Sequence, residues 1–137
     1  METIVFDKDI TVLYVTATSF PDGVMDAHNR LRAIVPYMPE RRYFGISRPE
    51  NGGGIVYRAG AEELMPNEAA KYNCETLVLK KGQYCCITIN HFMKNMPLVG
   101  KAFSELITRP DIDPEGYCVE WYLNDNETVK CMVRLKE

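Results

Sequence analysis

The sequence predicts an α+β fold: two β-α-β-β repeats forming a curved antiparallel sheet, with two helices on one face. Short runs rich in β-branched and aromatic residues are separated by turn-forming glycines, prolines and asparagines. Two longer segments repeat their apolar residues at helical spacing, and prolines close both of them. The order strand, helix, strand, strand then occurs twice, although the halves share no obvious residue-level identity. A chain of 137 residues fits a single domain, 1–137, and folding at this length buries roughly two thirds of the surface an unfolded chain exposes.

The first strand is expected over Ile10-Thr11-Val12-Leu13-Tyr14-Val15-Thr16-Ala17, where β-branched side chains dominate. Pro21-Asp22-Gly23 reads as a helix start. In the helix that follows, Val24, His28, Leu31 and Val35 form an apolar stripe with Ala27, Ile34 and Met38 beside it. Asp26 and Arg30 pair one turn apart on the wet side, and Pro36 and Pro39 stop the helix. Two strands come next, about 42–47 and 55–64, joined by Arg48-Pro49-Glu50-Asn51-Gly52-Gly53-Gly54, whose proline and glycines suit a flexible hairpin loop.

A polar connection at 66–72 has room for one helical turn. Glu75-Thr76-Leu77-Val78-Leu79 is a strand, and Lys80-Lys81-Gly82 leads it into Gln83-Tyr84-Cys85-Cys86-Ile87-Thr88-Ile89. A second helix, about 97–108, places Val99, Ala102, Phe103, Leu106 and Ile107 on one face, with Asn95 as N-cap and Arg109-Pro110 as its end. Strands at 116–123 and 128–136 close the chain. With both helices on one face of the sheet, the opposite face is the expected place for a groove.

Composition narrows the function. A net charge of -3, with no basic stripe and no DNA-reading helical motif, gives no attraction to nucleic acid. No apolar run is long enough to span a bilayer, and Met1-Glu2-Thr3-Ile4-Val5 lacks the basic start of a secretory signal, so a cytoplasmic protein without membrane contact is expected. Five cysteines, Cys74, Cys85, Cys86, Cys118 and Cys131, include no CxxC pair, and they read as reduced strand fillers, with Cys86 or Cys118 the candidates for a reactive thiol. His28 and His91 are far apart, so no metal or cofactor site is indicated, and His28 reads as a residue at the edge of the core. The Gly52-Gly53-Gly54 run lacks the lysine and helix of a phosphate loop.

The informative residue is Glu120, within the aromatic strand Tyr117-Cys118-Val119-Glu120-Trp121-Tyr122-Leu123. Strand alternation places Glu120 on one face with Cys118 and Tyr122, and Val119, Trp121 and Leu123 on the other. A carboxylate among aromatic rings loses hydration and favours its neutral form unless a cation or hydrogen-bond donors compensate. A cationic guest could supply that compensation, and tyrosine rings would offer it their π-faces. The bland alternative is a solvated strand residue or an ion pair with Arg58 or Arg134.

The order β-α-β-β twice, together with Leu79-Lys80-Lys81-Gly82-Gln83-Tyr84 and Glu120-Trp121-Tyr122-Leu123, resembles the GyrI-like family, that is, the DNA gyrase inhibitor-like or AraC-type effector-binding domain. The resemblance runs from about Thr11 to Leu135 and includes Tyr43-Phe44-Gly45-Ile46-Ser47 and Tyr57-Arg58-Ala59-Gly60. It implies a small-molecule sensor with Glu120 as anchor for an amphipathic cation, Tyr84 and Tyr122 in the pocket, and Tyr57 and Trp121 as weaker transfers. Lys81 before Gly82 and the Cys85-Cys86 pair depart from the family pattern, and both bear on ligand preference.

Three functions compete. The first is a stand-alone effector-binding domain that senses or sequesters its ligand, with a separate partner supplying any role in transcription regulation. The second is implied by the resemblance, since some relatives of this fold resemble hydrolases of electrophilic, cyclopropane-bearing toxins: Glu120 would be the general base and Tyr84 or Tyr122 would orient the substrate, although no separate nucleophile and base are visible. The third is a protein-interaction module whose partner is a regulator or gyrase.

Overall fold

The structure is a computed structural model and describes residues 1–50 and 52–137; the Asn51 position of the expected hairpin loop lies outside the described residues. In chain order the elements are β1 (Glu2–Phe6), β2 (Ile10–Thr16), α1 (Val24–Ile34), β3 (Tyr43–Glu50), β4 (Gly54–Glu62), α2 (Glu68–Tyr72), β5 (Glu75–Leu79), β6 (Gly82–Ile89), a 3-10 turn at Phe92–Lys94, α3 (Met96–Leu106), β7 (Cys118–Tyr122) and β8 (Val129–Arg134). The strands form one antiparallel eight-stranded sheet in the order β1-β6-β8-β7-β3-β4-β2-β5. The α+β architecture with two β-α-β-β repeats is therefore present, curled into a half-barrel.

The two halves exchange their leading strands. β1 precedes β2 in the chain but pairs with β6, while β5 precedes β6 but pairs with β2. The β1 strand is absent from the sequence reading because five residues alternating Glu2, Ile4 and Phe6 against Thr3 and Val5 carry little signal, and their partner is remote in sequence. The exchange draws both ends of the sheet inward, so that Phe6, Ile10, Phe44, Leu79, Tyr84 and Met132 share one cluster. That cluster lies on the helix-free face, where Leu79, Tyr84, Val119 and Arg134 line a cavity of about 860 Å³, so a groove is present on the expected face, although Glu120 lies on the other one.

Both long helices lie on the other face, each over its own half. Ala27, Leu31 and the following Val35 pack on Leu13, Ala59 and Ala61, whereas Val99, Ala102 and Leu106 of α3 pack on Cys85, Val129 and Cys131. α1 ends earlier than its apolar stripe suggests, because Val35 precedes Pro36 and adopts an extended backbone that excludes the helical region. The expected loop at 48–54 is also shorter: Arg48, Pro49 and Glu50 pair with Val56, Ile55 and Gly54 as strand residues. Asn95 occupies the N-cap position of α3, but its side chain makes no cap bond and donates instead to the His91 carbonyl at 3.2 Å.

Candidate functional site

The helices leave the middle of the sheet bare. α1 covers β2 and β4, α3 covers β6 and β8, and the seam where β3 pairs with β7 lies between them without a helix of its own. The result is a cavity of about 850 Å³, floored by the seam and walled by α1, α3 and the 3-10 turn. Its walls are apolar: Phe20, Val24, Met93, Met96, Val99 and Phe103 all face it. Strand alternation puts Glu120 on this face, at the floor of the cavity.

Glu120 ends a continuous run of hydrogen bonds. The Tyr122 hydroxyl donates to Glu120 Oε1 at 2.8 Å, the Tyr57 and Tyr122 hydroxyls are 3.0 Å apart, and Nε2 of His28 lies 2.8 Å from the Tyr57 hydroxyl. Three elements converge here: β7 supplies Glu120 and Tyr122, β4 supplies Tyr57, and α1 supplies His28. The two phenols reach each other because Gly45, directly opposite Glu120 on β3, presents no side chain between them. Aromatic rings enclose the run. Phe20 stacks on Tyr57 with centroids 5.9 Å apart, His28 meets Tyr122 edge-on at 5.4 Å, and Phe92 lies 5.6 Å from Tyr122.

Burial sets the protonation of every member. Glu120 is pushed above the ordinary carboxylate range by loss of hydration, with only the Tyr122 hydrogen bond opposing the shift. No salt bridge reaches it among the described residues, because Arg58 pairs with Glu50, and Arg134 with Asp113 and Glu137, on the opposite face. His28 is driven down to about 4 by burial and then by the nearby Arg32, so its ring is neutral at neutral pH. Burial and the adjacent Glu120 hold both tyrosines well above their usual range, so they keep their protons.

The structure thus gathers Glu120, Tyr122 and Tyr57 in one site and places Tyr84 and Trp121 elsewhere. Both of the latter face the helix-free side, where Tyr84 packs on Phe6 and donates to the Lys80 carbonyl at 2.7 Å. Trp121 lies under no helix; it packs near Phe6 and Phe44 and beneath the Arg42 guanidinium. Cys118 does line the cavity, yet burial raises its thiol, as it does those of Cys86, to about 11, and Cys131, to about 12, which suppresses the reactive thiolate. Sequence reasoning missed His28, Phe20 and Gly45 as site residues. A glycine inside a strand pattern was the available signal for Gly45.

All five cysteines are free, and among the described residues no cluster of His, Cys, Asp and Glu could hold a metal ion. No helix described is long and apolar enough to cross a membrane.

No protein-family profile matches the chain, and no curated protein matches its sequence. Solved structures do resemble it. An integron cassette protein from the mobile metagenome of Vibrio cholerae superposes with a TM-score of 0.68 at 12% identity, over 98% of this chain and 95% of that one. SAV2435, solved bound to tetraphenylphosphonium, gives a TM-score of 0.68 at 13% identity, over 99% of this chain and 94% of that one. A hydrolase from Listeria innocua gives a TM-score of 0.57 at 9% identity, over 98% of this chain and 90% of that one. At such identities the likeness establishes the fold alone: the chain shares its curled sheet and paired helices with a protein that holds an organic cation.

Proposed function

We propose that the chain forms an effector-binding domain of the GyrI-like type, which takes amphipathic organic cations into the cavity between α1 and α3. The observation that carries the reading is Glu120: a carboxylate without a cationic partner among the described residues, at the floor of an apolar, ring-lined cavity. A cation entering there regains for Glu120 the electrostatic partner that burial removed, while its apolar parts leave water against Phe20, Met93, Met96 and Phe103. The rings of Tyr57 and Tyr122 add cation–π attraction, on the order of 0.5–2 kcal/mol each. That SAV2435 was solved with tetraphenylphosphonium supports the choice of ligand class. With one carboxylate fixing orientation, the site favours breadth over discrimination, which suits sensing or sequestering.

The test is thermal unfolding with and without tetraphenylphosphonium. The ligand is expected to raise Tm in the wild type, and Glu120→Gln is expected to lose most of that rise while still folding. Equal shifts in the two proteins would count against the reading. A second reading rests on the same desolvated carboxylate, which, held by Tyr122, has the form of a general base for adding water to a strained electrophile. Formation of a water-added product by wild type, and not by Glu120→Gln, would favour it over simple binding.

A further inference from the structure

The hydrogen bonds from His28 to Glu120 admit two complete orders. An ionised carboxylate only accepts, so Tyr122 then donates to Glu120, Tyr57 donates to Tyr122, and His28 donates from Nε2 to Tyr57. A protonated Glu120 can donate instead. Tyr122 then donates to Tyr57, Tyr57 donates to a bare Nε2, and the ring proton of His28 sits on Nδ1. Each hydroxyl carries one hydrogen, so a mixed order leaves one contact without a proton between its oxygens. A proton on the outer oxygen of Glu120 would face the cavity with no acceptor among the described residues.

We propose that Glu120 exchanges a proton for the cation it receives, and that the exchange inverts this chain. The O–H bond of Glu120 breaks and its proton passes to Tyr122; Tyr122 gives its own to Tyr57, Tyr57 gives its own to Nε2 of His28, and the Nδ1 proton of His28 leaves to solvent. One proton departs, each phenol ends with the hydrogen count it began with, and His28 changes tautomer without net charge. The proposal rests on the cation-binding reading and adds its regulation by pH.

The surroundings suit such an exchange. Around Glu120 stand Tyr122 and Cys118 on its own strand, Gly45 on β3, Cys131 on β8, Tyr57 on β4, and His28 and Arg32 on α1. α3 and the 3-10 turn present only uncharged groups to the cavity. Arg32, the cavity's cation, is occupied over the Tyr37 and Tyr43 rings at 4.9 and 5.6 Å from their centroids, and contributes no attraction to Glu120. Burial favours the neutral carboxyl before a guest arrives and the neutral ring of His28 throughout, so His28 passes a proton on rather than retaining it. Nδ1 of His28 has no hydrogen-bond partner among the described residues and is not sealed from the cavity.

The experiment combines NMR and calorimetry on the full chain. Ring 15N shifts report the His28 tautomer, and a His91→Gln background leaves a single histidine to assign. The Glu120 carboxyl carbon, identified by its loss in Glu120→Gln, reports ionisation. In the ligand-free protein His28 is expected to switch from Nδ1–H to Nε2–H as Glu120 ionises, and Tyr57→Phe is expected to disconnect the two. Titration with tetraphenylphosphonium in buffers of different ionisation enthalpy is expected to release about one proton per ligand below the Glu120 midpoint and none above it. Affinity should rise about tenfold per pH unit over that range. Absence of tetraphenylphosphonium binding at every pH overturns the cation-binding reading. Binding without proton release, a His28 tautomer that ignores Glu120, or a switch that survives Tyr57→Phe overturns the exchange.

Discussion

Gly45 stands directly across from Glu120 on the neighbouring strand, and the side chain it lacks is the space in which the Tyr57 and Tyr122 hydroxyls meet. A Cβ at this position would lie 2.8 Å from the Tyr122 hydroxyl oxygen and closer still to that of Tyr57. Tyr57 is itself buried and hydrogen-bonded on both sides, so it has nowhere to retreat. Gly45→Ala is therefore expected to cost about 1–3 kcal/mol, the usual range for overpacking, as measured by urea unfolding. The same methyl group parts the two phenols, so the Tm rise with tetraphenylphosphonium should vanish even under conditions where the variant is fully folded.

Glu120→Gln should have the opposite effect on folding. The unfolded carboxyl ionises near its ordinary value of 4.5, whereas the folded one is held higher by burial. A group raised in this way contributes its full stability below the unfolded value and loses it as pH climbs through the folded value. Glutamine carries no such loss. The stability of Glu120→Gln relative to wild type should consequently improve as pH rises above about 4.5 and then level off. A variant that instead fell further behind with rising pH would mean that the carboxylate has a favourable partner in the ligand-free protein.

The sequence shows the site's carboxylate more clearly than its surroundings. Alternation along β7 placed Glu120, Cys118 and Tyr122 on one face, and the structure keeps them there. The same alternation along β6 says only that Tyr84 shares a face with Cys86, not which way that face points; the direction is set by the pairing of β6 with β8 and of β8 with β7. Tyr84 therefore turned to the helix-free core while Tyr57 turned to the cavity. His28 shows a different limit. Its place on the apolar stripe of α1 was legible, but a phenol 29 residues away in β4 is what makes it part of the site. The exchange of β1 and β5 between halves was not legible, because local pattern does not name a strand's partner.

His28 should make the protein acid-sensitive. Its folded value, about 4, lies below the ordinary 6.5, so the unfolded chain takes up a proton first as pH falls. Stability due to the neutral ring is complete above about 6.5 and declines as pH drops toward about 4, by at most about 3 kcal/mol for a shift of this size. Glu120 pulls in the opposite direction where the two ranges overlap, so the comparison must be made against a variant. In His28→Gln, whose amide can still meet the Tyr57 hydroxyl, the fall across this window should flatten in chemical denaturation series. An unchanged slope would show that His28 takes up its proton in the folded state as readily as in the unfolded one.

Away from the cavity, α2 is anchored by one buried ion pair. Arg41 is 1% exposed and grips Glu68 with both terminal nitrogens, Nη1 to Oε1 at 2.9 Å and Nη2 to Oε2 at 3.0 Å. Glu68 also accepts from the Leu64 and Met65 amides, and these donors together hold its carboxyl down at about 2. Removing one charge strands the other, so Glu68→Ala is expected to cost about 3–5 kcal/mol. The pair's contribution is present above the ordinary carboxylate value and is lost as pH falls through about 2, so the deficit of Glu68→Ala should narrow in strong acid. Arg30→Ala is the control. It breaks the exposed pair with Asp26, 41% and 63% accessible at its two side chains, and should change stability by less than about 1 kcal/mol. If both variants cost the same in urea unfolding, the Arg41–Glu68 contact carries no more weight than a surface pair, and α2 is held by the packing of Ala69 and Tyr72 against the core under α1.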